Sequence, residues 1–209
     1  MDLLAAFIDI VLHLDVHLLK LTADYGVWVY AILFLIIYCE TGLVITPFLP
    51  GDSLLFVAGA LCGMDALQLG WLAPLLMLAA FAGDNTNYWI GRLIGTRLLH
   101  AQTRLIKREH IDKTHAFYEK HGGKTVLFAR FLPIIRTFAP FVAGVGLMRY
   151  RLFVLFSALG SLAWIGSLTL AGYFFGNIPL VKNNLTLIIV GIIVITLLPA
   201  LRELVKRRN

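Results

Sequence analysis

Ionisable side chains lie inside apolar stretches of this sequence, where a charge is costly to hold. Glu40 follows LIIYC, Asp52 follows FLPG, and Asp84 lies in AAFAGDNTNYW. Arg130 and Arg136 flank FLPII in a later apolar stretch. A charge at bilayer depth is expensive, so such side chains face the protein interior and mark function by default. Buried carboxylates can load and release protons, and the planar guanidinium group suits phosphate. The pattern therefore predicts a site that handles protons together with an anionic group.

The same charges have a structural alternative. Glu40 and Asp52 could pair with Arg130 and Arg136 in a neutral lock that has no role in transport. The two roles are compatible, because a proton taken up by either carboxylate would free an arginine for an anionic substrate.

A further polar cluster, formed by Asp84, Asn85 and Asn87, interrupts one of the apolar segments. These side chains either cap and stabilise the ends of the hairpins or line a cavity. The sequence leaves both interpretations open.

The composition places these residues in a membrane protein. The chain has 209 residues, of which 59% are hydrophobic and 14% are charged, whereas a soluble domain carries about 25% charged residues. Runs of about 20 mostly apolar residues predict membrane-spanning helices. The net charge of +6 comes from basic residues that flank apolar runs, so no nucleic-acid-binding domain is expected. Cys39 and Cys62 lie at or inside apolar segments, which indicates neither a disulfide framework nor a zinc site.

Basic residues set the expected orientation of the chain. They concentrate in residues 92–124 and in the tail at 202–208, and Arg149 and Arg151 mark a third basic point. All three are expected on the cytoplasmic side, and both termini are predicted to be cytoplasmic. Residues 125–148 then have both ends on that side, which predicts a re-entrant hairpin.

The first half of the chain follows the same rule. Residues 62–70 contain no lysine or arginine and are expected outside. Residues 27–39 would cross outward, and residues 70–95 would cross back. Residues 40–61 are then left as a first hairpin that enters from the external side.

These assignments predict an all-α polytopic membrane protein with four spans and two opposed re-entrant hairpins as inverted repeats. In chain order the predicted parts are an N-terminal interfacial helix (1–25), a first repeat (26–96) with its hairpin at about 40–61, a basic cytoplasmic amphipathic segment (97–124), a second repeat (125–183) with its hairpin at about 125–148, and a last span with a basic tail (184–209).

The two hairpins share sequence. FLPGDSLLFVAG at 48–59 and FLPIIRTFAPFVAG at 131–144 contain Phe-Leu-Pro and Val-Ala-Gly in the same order. Each copy precedes a span with a small-xxx-small step, which favours close helix packing. Inverted repeats with broken helices point to a transporter site, because the broken ends offer backbone groups to a substrate. The predicted breaks are Pro47, Pro50 and Gly51 in the first hairpin and Pro133 and Pro140 in the second, and the glycine steps are Gly91 to Gly95 and Gly172 to Gly176.

Neither a metal site nor an enzyme is expected. Asp112, His115 and Glu119 could share a helical face in the cytoplasmic segment, but a solvated amphipathic helix explains them more simply. The apolar spans contain no Ser–His pairing and no Asp-rich metal motif. No metal and no cofactor are therefore predicted.

Four long stretches of the chain carry a resemblance to a known family. They are YGVWVYAILFLIIYCETGLVITPFLPGDSLLFVAGAL, GDNTNYWIGRLIG, DKTHAFYEKHGGKTVLFARFLPIIRTFAPFVAGVGLMRY and AGYFFGNIP. The sequence resembles the DedA family of bacterial inner-membrane proteins, which carry the VTT domain. The resemblance implies two opposed re-entrant hairpins and movement of undecaprenyl phosphate from the external to the cytoplasmic leaflet, with a role for the proton gradient. Eukaryotic relatives scramble phospholipids. The essential acidic pair of the family falls on Glu40 and Asp52, and its essential arginine pair on Arg130 and Arg136.

The leading hypothesis is a proton-coupled lipid-phosphate translocase in the bacterial inner membrane. Arg130 and Arg136 would hold the phosphate, Glu40 and Asp52 would couple protonation to release, and Asp52 is expected opposite Arg136. The expected partners are membrane lipid, an anionic lipid phosphate and protons, without nucleic acid, and the sequence does not determine the oligomeric state. The alternatives are a proton-linked exporter of small cations or drugs, a phospholipid scramblase, and a scaffold for envelope proteins.

Overall fold

The computed structural model of the chain describes residues 14–43, 51–101, 123–182 and 191. No strand occurs among these residues, which confirms the all-α class for the described part of the chain. The helices are α1 (Leu14–Tyr25), α2 (Trp28–Gly42), α3 (Gly51–Gly63), α4 (Leu69–Ala101), α5 (Lys124–Ala129), α6 (Pro133–Val145), α7 (Tyr150–Phe175) and α8 (Pro179–Lys182).

Several sequence-based predictions fall outside the described residues. They concern residues 1–13 of the interfacial helix, Pro47 and Pro50 at the first break, residues 102–122 of the cytoplasmic segment, and most of the last span and its tail.

One helix in the described part of the chain is both long enough and apolar enough to cross a membrane. It is α7, with 26 residues. The 33-residue helix α4 is longer, but its apolar sequence is interrupted by the polar residues GDNTN. The prediction of four spans with re-entrant repeats therefore stays a prediction.

The described residues divide into two compact units. The first unit contains residues 14–36, 51–76 and 165–182, and the second contains residues 37–43, 77–101 and 123–164. The divisions fall inside α2, α4 and α7.

In the first unit, α3 packs closely against the C-terminal half of α7. Every residue of α3 from Ser53 to Cys62 is buried, as expected for an apolar helix enclosed by other elements. A Cβ on Gly59 would overlap the carbonyl oxygen of Thr169, and a Cβ on Gly172 would overlap that of Phe56. The two backbones thus touch where neither helix has a side chain.

In the second unit, α6 packs against α4 in the same way. A Cβ on Gly144 would overlap the carbonyl oxygen of Tyr88, and a Cβ on Gly91 would overlap that of Phe141. The tetrapeptide Phe-Val-Ala-Gly supplies the hairpin side of both contacts, at 56–59 and at 141–144. The expectation that the glycine steps allow close packing is confirmed. Helix α3 thus packs on α7, and helix α6 packs on α4.

The start of α2 lies beside the start of α4 in the first unit. The backbone N–H of Gln68 donates a 2.8 Å hydrogen bond to the hydroxyl of Tyr30. This hydrogen bond joins the segment at 62–70 to the start of α2, while the spans predicted at 27–39 and 70–95 stay predictions. Helix α2 has 15 residues, or about 22 Å at 1.5 Å per residue, whereas the hydrocarbon core is about 30 Å thick. The predicted hairpin at 40–61 would then include the end of α2 and most of α3.

The segment predicted as the second hairpin is interrupted next to its first proline. Helix α5 ends at Ala129, and α6 begins at Pro133 after a short turn. Leu132 has the extended backbone (φ −113°, ψ 108°) that a following proline favours. Pro140, in contrast, lies inside continuous helix, where it only removes one backbone N–H.

Replacing Gly91 or Gly172 with alanine is expected to lower the thermal unfolding midpoint of the detergent-purified protein. The added methyl group would overlap a backbone carbonyl of the facing helix, and overpacking of this kind costs about 1–3 kcal/mol. Gly70→Ala is the matched control, because a Cβ there meets nothing within 4 Å. Unchanged midpoints for the first two variants would contradict the close backbone contact.

Candidate functional site

Two arginines of the second hairpin form buried ion pairs inside the second unit. Arg130 follows the last residue of α5, and its Nη1 donates to Oδ2 of Asp84 on α4. Arg136 lies in the first turn of α6, and its Nη2 donates to Oε1 of Glu40 on α2. The two arginine side chains are only 5% and 8% exposed. The pairing supplies the countercharge that buried ions require.

Ser157 completes the surroundings of the Asp84 carboxylate. Its Oγ donates a 2.6 Å hydrogen bond to Oδ2 of Asp84, the oxygen that also accepts from Arg130. Helix α7 therefore also contributes a hydrogen bond to this carboxylate.

Two glycines allow the end of α2 to pack closely against α4, and this packing positions Glu40 in the site. A Cβ on Gly42 would lie 3.2 Å from Cα of Gly83, and a Cβ on Gly83 would overlap the side chain of Thr41. With no side chain between the helices, Glu40 is completely buried.

Asn87 ties the end of α2 to α6. Its Nδ2 donates to the carbonyl of Thr41 at 3.2 Å and to the carbonyl of Thr137 at 2.7 Å. The Thr41 carbonyl lies in the last turn of α2, where carbonyl groups have no partner within the helix. One fully buried amide thus fixes the two elements that carry Glu40 and Arg136.

Trp164 on α7 lies next to both arginines. The Cζ atoms of Arg130 and Arg136 are 5.4 Å and 4.6 Å from the centroid of its ring. The ring is 4% exposed. Both distances are within the range at which a guanidinium is attracted to the negative face of an aromatic ring.

A small cavity opens among these side chains. It has a volume of about 10 Å³, which is room for about one water molecule. Both arginines and Asp84 line it, together with Thr41, Val126, Thr137 and Pro140. Nε and Nη2 of Arg130 are buried and have no hydrogen-bond acceptor among the described residues. Buried donors of a cation without acceptors are rare, and a water molecule or an anionic oxygen in the cavity would satisfy them.

The structure brings together three of the four residues that the sequence singled out as the acidic and arginine pairs. Glu40 contacts Arg136, whereas the carboxylate beside Arg130 belongs to Asp84. Asp52 lies in the first turn of α3, in the first unit, and is partly buried. Its expected place opposite Arg136 stays a prediction.

The polar cluster on α4 has divided roles. Asp84 lines the cavity, and Asn87 binds backbone carbonyls of α2 and α6. Asn85 donates to the carbonyl of Phe81 at 2.7 Å and accepts a 2.9 Å hydrogen bond from the hydroxyl of Tyr150. It joins α4 to the start of α7 and is not among the residues that line the cavity.

Sequence reasoning missed Ser157 and Trp164. Both lie on one face of α7, together with the buried Ser161, at the spacing that aligns residues on a helix. Tryptophan in spanning helices is enriched at the two interfaces, yet Trp164 stands near the middle of the 26-residue helix. A tryptophan near the middle of a spanning helix, on the same face as two serines, was the sequence signal that could have indicated these residues.

Among the residues with described positions, no three or more histidine, cysteine, aspartate or glutamate side chains lie together so that they could hold a metal ion. Asp112, His115 and Glu119 lie outside those residues.

Asn87→Leu is expected to destabilise the protein by about 1–3 kcal/mol, because the carbonyls of Thr41 and Thr137 would lose a buried donor. Asn85→Leu is the comparison on the same helix, since its bond to Tyr150 is exposed and its loss should cost less. Thermal unfolding of both variants measures the difference, and a larger loss for Asn85→Leu would contradict the assignment.

Comparison with known proteins places this chain among membrane proteins. Residues 49–174 match the family model of the VTT domain. The chain is 56% identical over 212 residues to Protein DedA of Escherichia coli K12, covering 100% of this chain and 97% of that protein. It is 47% identical to the uncharacterized membrane protein Rv0364 of Mycobacterium tuberculosis H37Rv, covering 80% of this chain and 74% of that protein. It is 34% identical to inner membrane protein YqjA of Escherichia coli K12, covering 72% of this chain and 69% of that protein. No solved structure matches the chain significantly.

Proposed function

Since this chain belongs to the VTT-domain family, to which the DedA proteins also belong, we propose that it transports an anionic lipid phosphate across the bacterial inner membrane. The proposed substrate is a polyprenyl phosphate, and undecaprenyl phosphate is the lipid that the family resemblance implies. The proposed direction is from the external to the cytoplasmic leaflet, coupled to protons. The polyprenyl chain would stay in lipid while the head group passes through the protein.

One observation carries this proposal. Arg130 is buried in the wall of a cavity that Arg136 also lines, and two of its nitrogens have no acceptor among the described residues. Phosphate supplies several strong acceptor oxygens and matches the planar fork of arginine. The beginning of α6 lies between the two arginines in sequence, and a helix N-terminus adds a favourable field for an anion.

The cavity as it stands is too small for a phosphate group, and a carboxylate is paired with each arginine. We propose that the substrate exchanges with the carboxylates. A proton from the external side binds to a carboxylate oxygen, the ion pair opens, and the arginine N–H groups turn to the phosphate oxygens. On the cytoplasmic side the proton leaves, the carboxylate takes the arginine back, and the phosphate is released. We propose Glu40 and Asp84 as the exchanging carboxylates, because each is paired with one of the arginines, and Asp52 remains a proposed coupling residue.

The exporter of small cations is the weaker alternative. Glu40 and Asp84 each already have an arginine as countercharge, so a cationic cargo would have to displace a guanidinium from a buried site. Anionic cargo instead displaces a group of its own sign and leaves the arginines paired.

Transport in proteoliposomes tests the proposal. The purified chain is reconstituted with a fluorescent short-chain polyprenyl phosphate, and a membrane-impermeant quencher reports how much probe has changed leaflet. We expect faster movement than in empty liposomes, acceleration by an inward proton gradient, and no acceleration of the matching polyprenol, which lacks the phosphate. Inorganic phosphate is the second arm: uptake of inorganic phosphate without movement of the lipid would overturn the lipid assignment, and equal rates for polyprenol would overturn the role of the phosphate.

A further inference from the structure

Two like charges share one aromatic ring in the second unit, and the proposed exchange does not use that ring. Arg130 and Arg136 both approach Trp164, at 5.4 Å and 4.6 Å from the ring centroid. Guanidinium groups repel each other, and the repulsion grows when their carboxylates are released. Something must keep both arginines in the wall of the cavity during that step.

Helix α7 is shaped to hold Arg130 on this ring. A Cβ on Gly160 would lie 3.1 Å from Cδ of Arg130. Gly160 is one helical turn before Trp164, so the two residues share a face of α7. The aliphatic part of the Arg130 side chain therefore passes over α7 at Gly160, which has no side chain, and its guanidinium group lies at the ring of Trp164.

Trp164 is also a reversible substitute for the carboxylates. The negative face of an indole ring attracts a guanidinium without accepting a proton or forming a salt bridge, and a buried contact of this type is worth about 2 kcal/mol. Asp84 and Glu40 approach the arginines from α4 and α2, whereas Trp164 approaches from α7. The carboxylates can thus release the two arginines while the ring of Trp164 stays in contact with them.

From this geometry we infer that Trp164 is the specificity-determining residue of the anion site. It holds the two guanidinium groups as a pair that one phosphomonoester bridges. The inference rests on the proposed function and deepens it by naming the residue through which the site favours a phosphomonoester over a phosphodiester. A terminal phosphomonoester carries up to two negative charges and three free oxygens, enough for both arginines. A phosphodiester head group carries one charge and has two free oxygens, so it neutralises one arginine only.

The test is a binding titration on the full chain in nanodiscs. The probes are a short-chain polyprenyl monophosphate, phosphatidylglycerol as a phosphodiester, and inorganic phosphate. In Trp164→Leu, which keeps an apolar side chain but removes the ring, we expect monoester affinity to fall about thirtyfold, the loss that corresponds to one buried contact of this type. Phosphatidylglycerol affinity should change little, so the monoester preference collapses. Trp164→Phe keeps a weaker ring and should recover part of that preference.

Trp89→Leu is the matched control. Trp89 also lies near an arginine, with Cζ of Arg92 at 5.7 Å from its ring centroid, but outside the cavity wall. We expect this variant to keep the monoester preference of the wild type. Equal losses for monoester and diester in Trp164→Leu would show a purely structural role and overturn the inference. A wild type that binds no lipid phosphate, or binds inorganic phosphate as tightly, would instead overturn the proposed function itself.

Discussion

Replacing Arg130 with glutamine should reduce transport of polyprenyl phosphate to the background of empty liposomes. The substitution removes the side chain that has two buried donors facing no acceptor among the described residues. A hydrogen bond to a charged group contributes about 1.5–3 kcal/mol, and every 1.4 kcal/mol changes affinity tenfold. Loss of two such bonds therefore predicts at least a hundredfold weaker binding. The measurement is the quencher assay in proteoliposomes, with a binding titration in nanodiscs beside it.

The single variant also leaves the Asp84 carboxylate buried without its arginine, which typically costs 3–5 kcal/mol of stability. The double variant Arg130→Gln with Asp84→Asn separates this effect from function. A neutral amide pair can restore the thermal unfolding midpoint, yet it has no cation for phosphate. We expect the double variant to fold and to remain inactive. A stable double variant that transports at the wild-type rate would show that the ion pair is only a structural lock.

Glu40→Gln should have the opposite effect on binding and a similar effect on turnover. The amide resembles the protonated carboxyl group, so Arg136 loses its charged partner and becomes available to the phosphate. We expect affinity for polyprenyl phosphate to rise about tenfold, since one charge-assisted bond no longer competes. Proton-driven transport should fall at least tenfold, because the amide cannot take up and release a proton. Binding titrations and proteoliposome rates measured on the same preparation give both numbers.

Asp65→Asn is the control for the Glu40 variant. Asp65 is an exposed carboxylate in the turn before α4, with a positive φ of 59° that asparagine also tolerates. The Asp65→Asn variant should leave both the affinity for polyprenyl phosphate and the transport rate unchanged. If Glu40→Gln lowers affinity and rate together, the carboxylate does not compete with the substrate, and the exchange between Glu40 and phosphate is wrong.

Charged residues in apolar sequence predicted much of the site. Glu40, Arg130 and Arg136 had few tolerable environments in a membrane protein, so their convergence followed from the cost of leaving them in lipid. The partner of Arg130 was less predictable. Whether it meets Asp84 depends on how α4 is rotated and on the approach of α2 at Gly42, and neither is encoded in the spacing of charges.

The helix boundaries show the second limit of the sequence. Hydropathy identifies the apolar run that contains α2 but does not reveal which other segment its start contacts. The hydrogen bond between Gln68 and Tyr30 shows that the start of α2 and the start of α4 lie together. Trp164 was missed for a related reason, since an aromatic side chain can face lipid or protein with the same sequence signal.

The most direct test of carboxylate–phosphate exchange is the pH dependence of polyprenyl phosphate binding in nanodiscs. The wild type is compared with the double variant Arg130→Gln with Asp84→Asn and with Glu40→Gln. The lipid phosphate has a titration of its own near neutral pH, which is common to all three proteins and can be subtracted. Exchange predicts that the wild type gains affinity as the carboxylates are protonated, that Glu40→Gln binds tightly with a flatter dependence, and that the double variant binds weakly at every pH. Identical pH profiles in the three proteins would contradict the exchange.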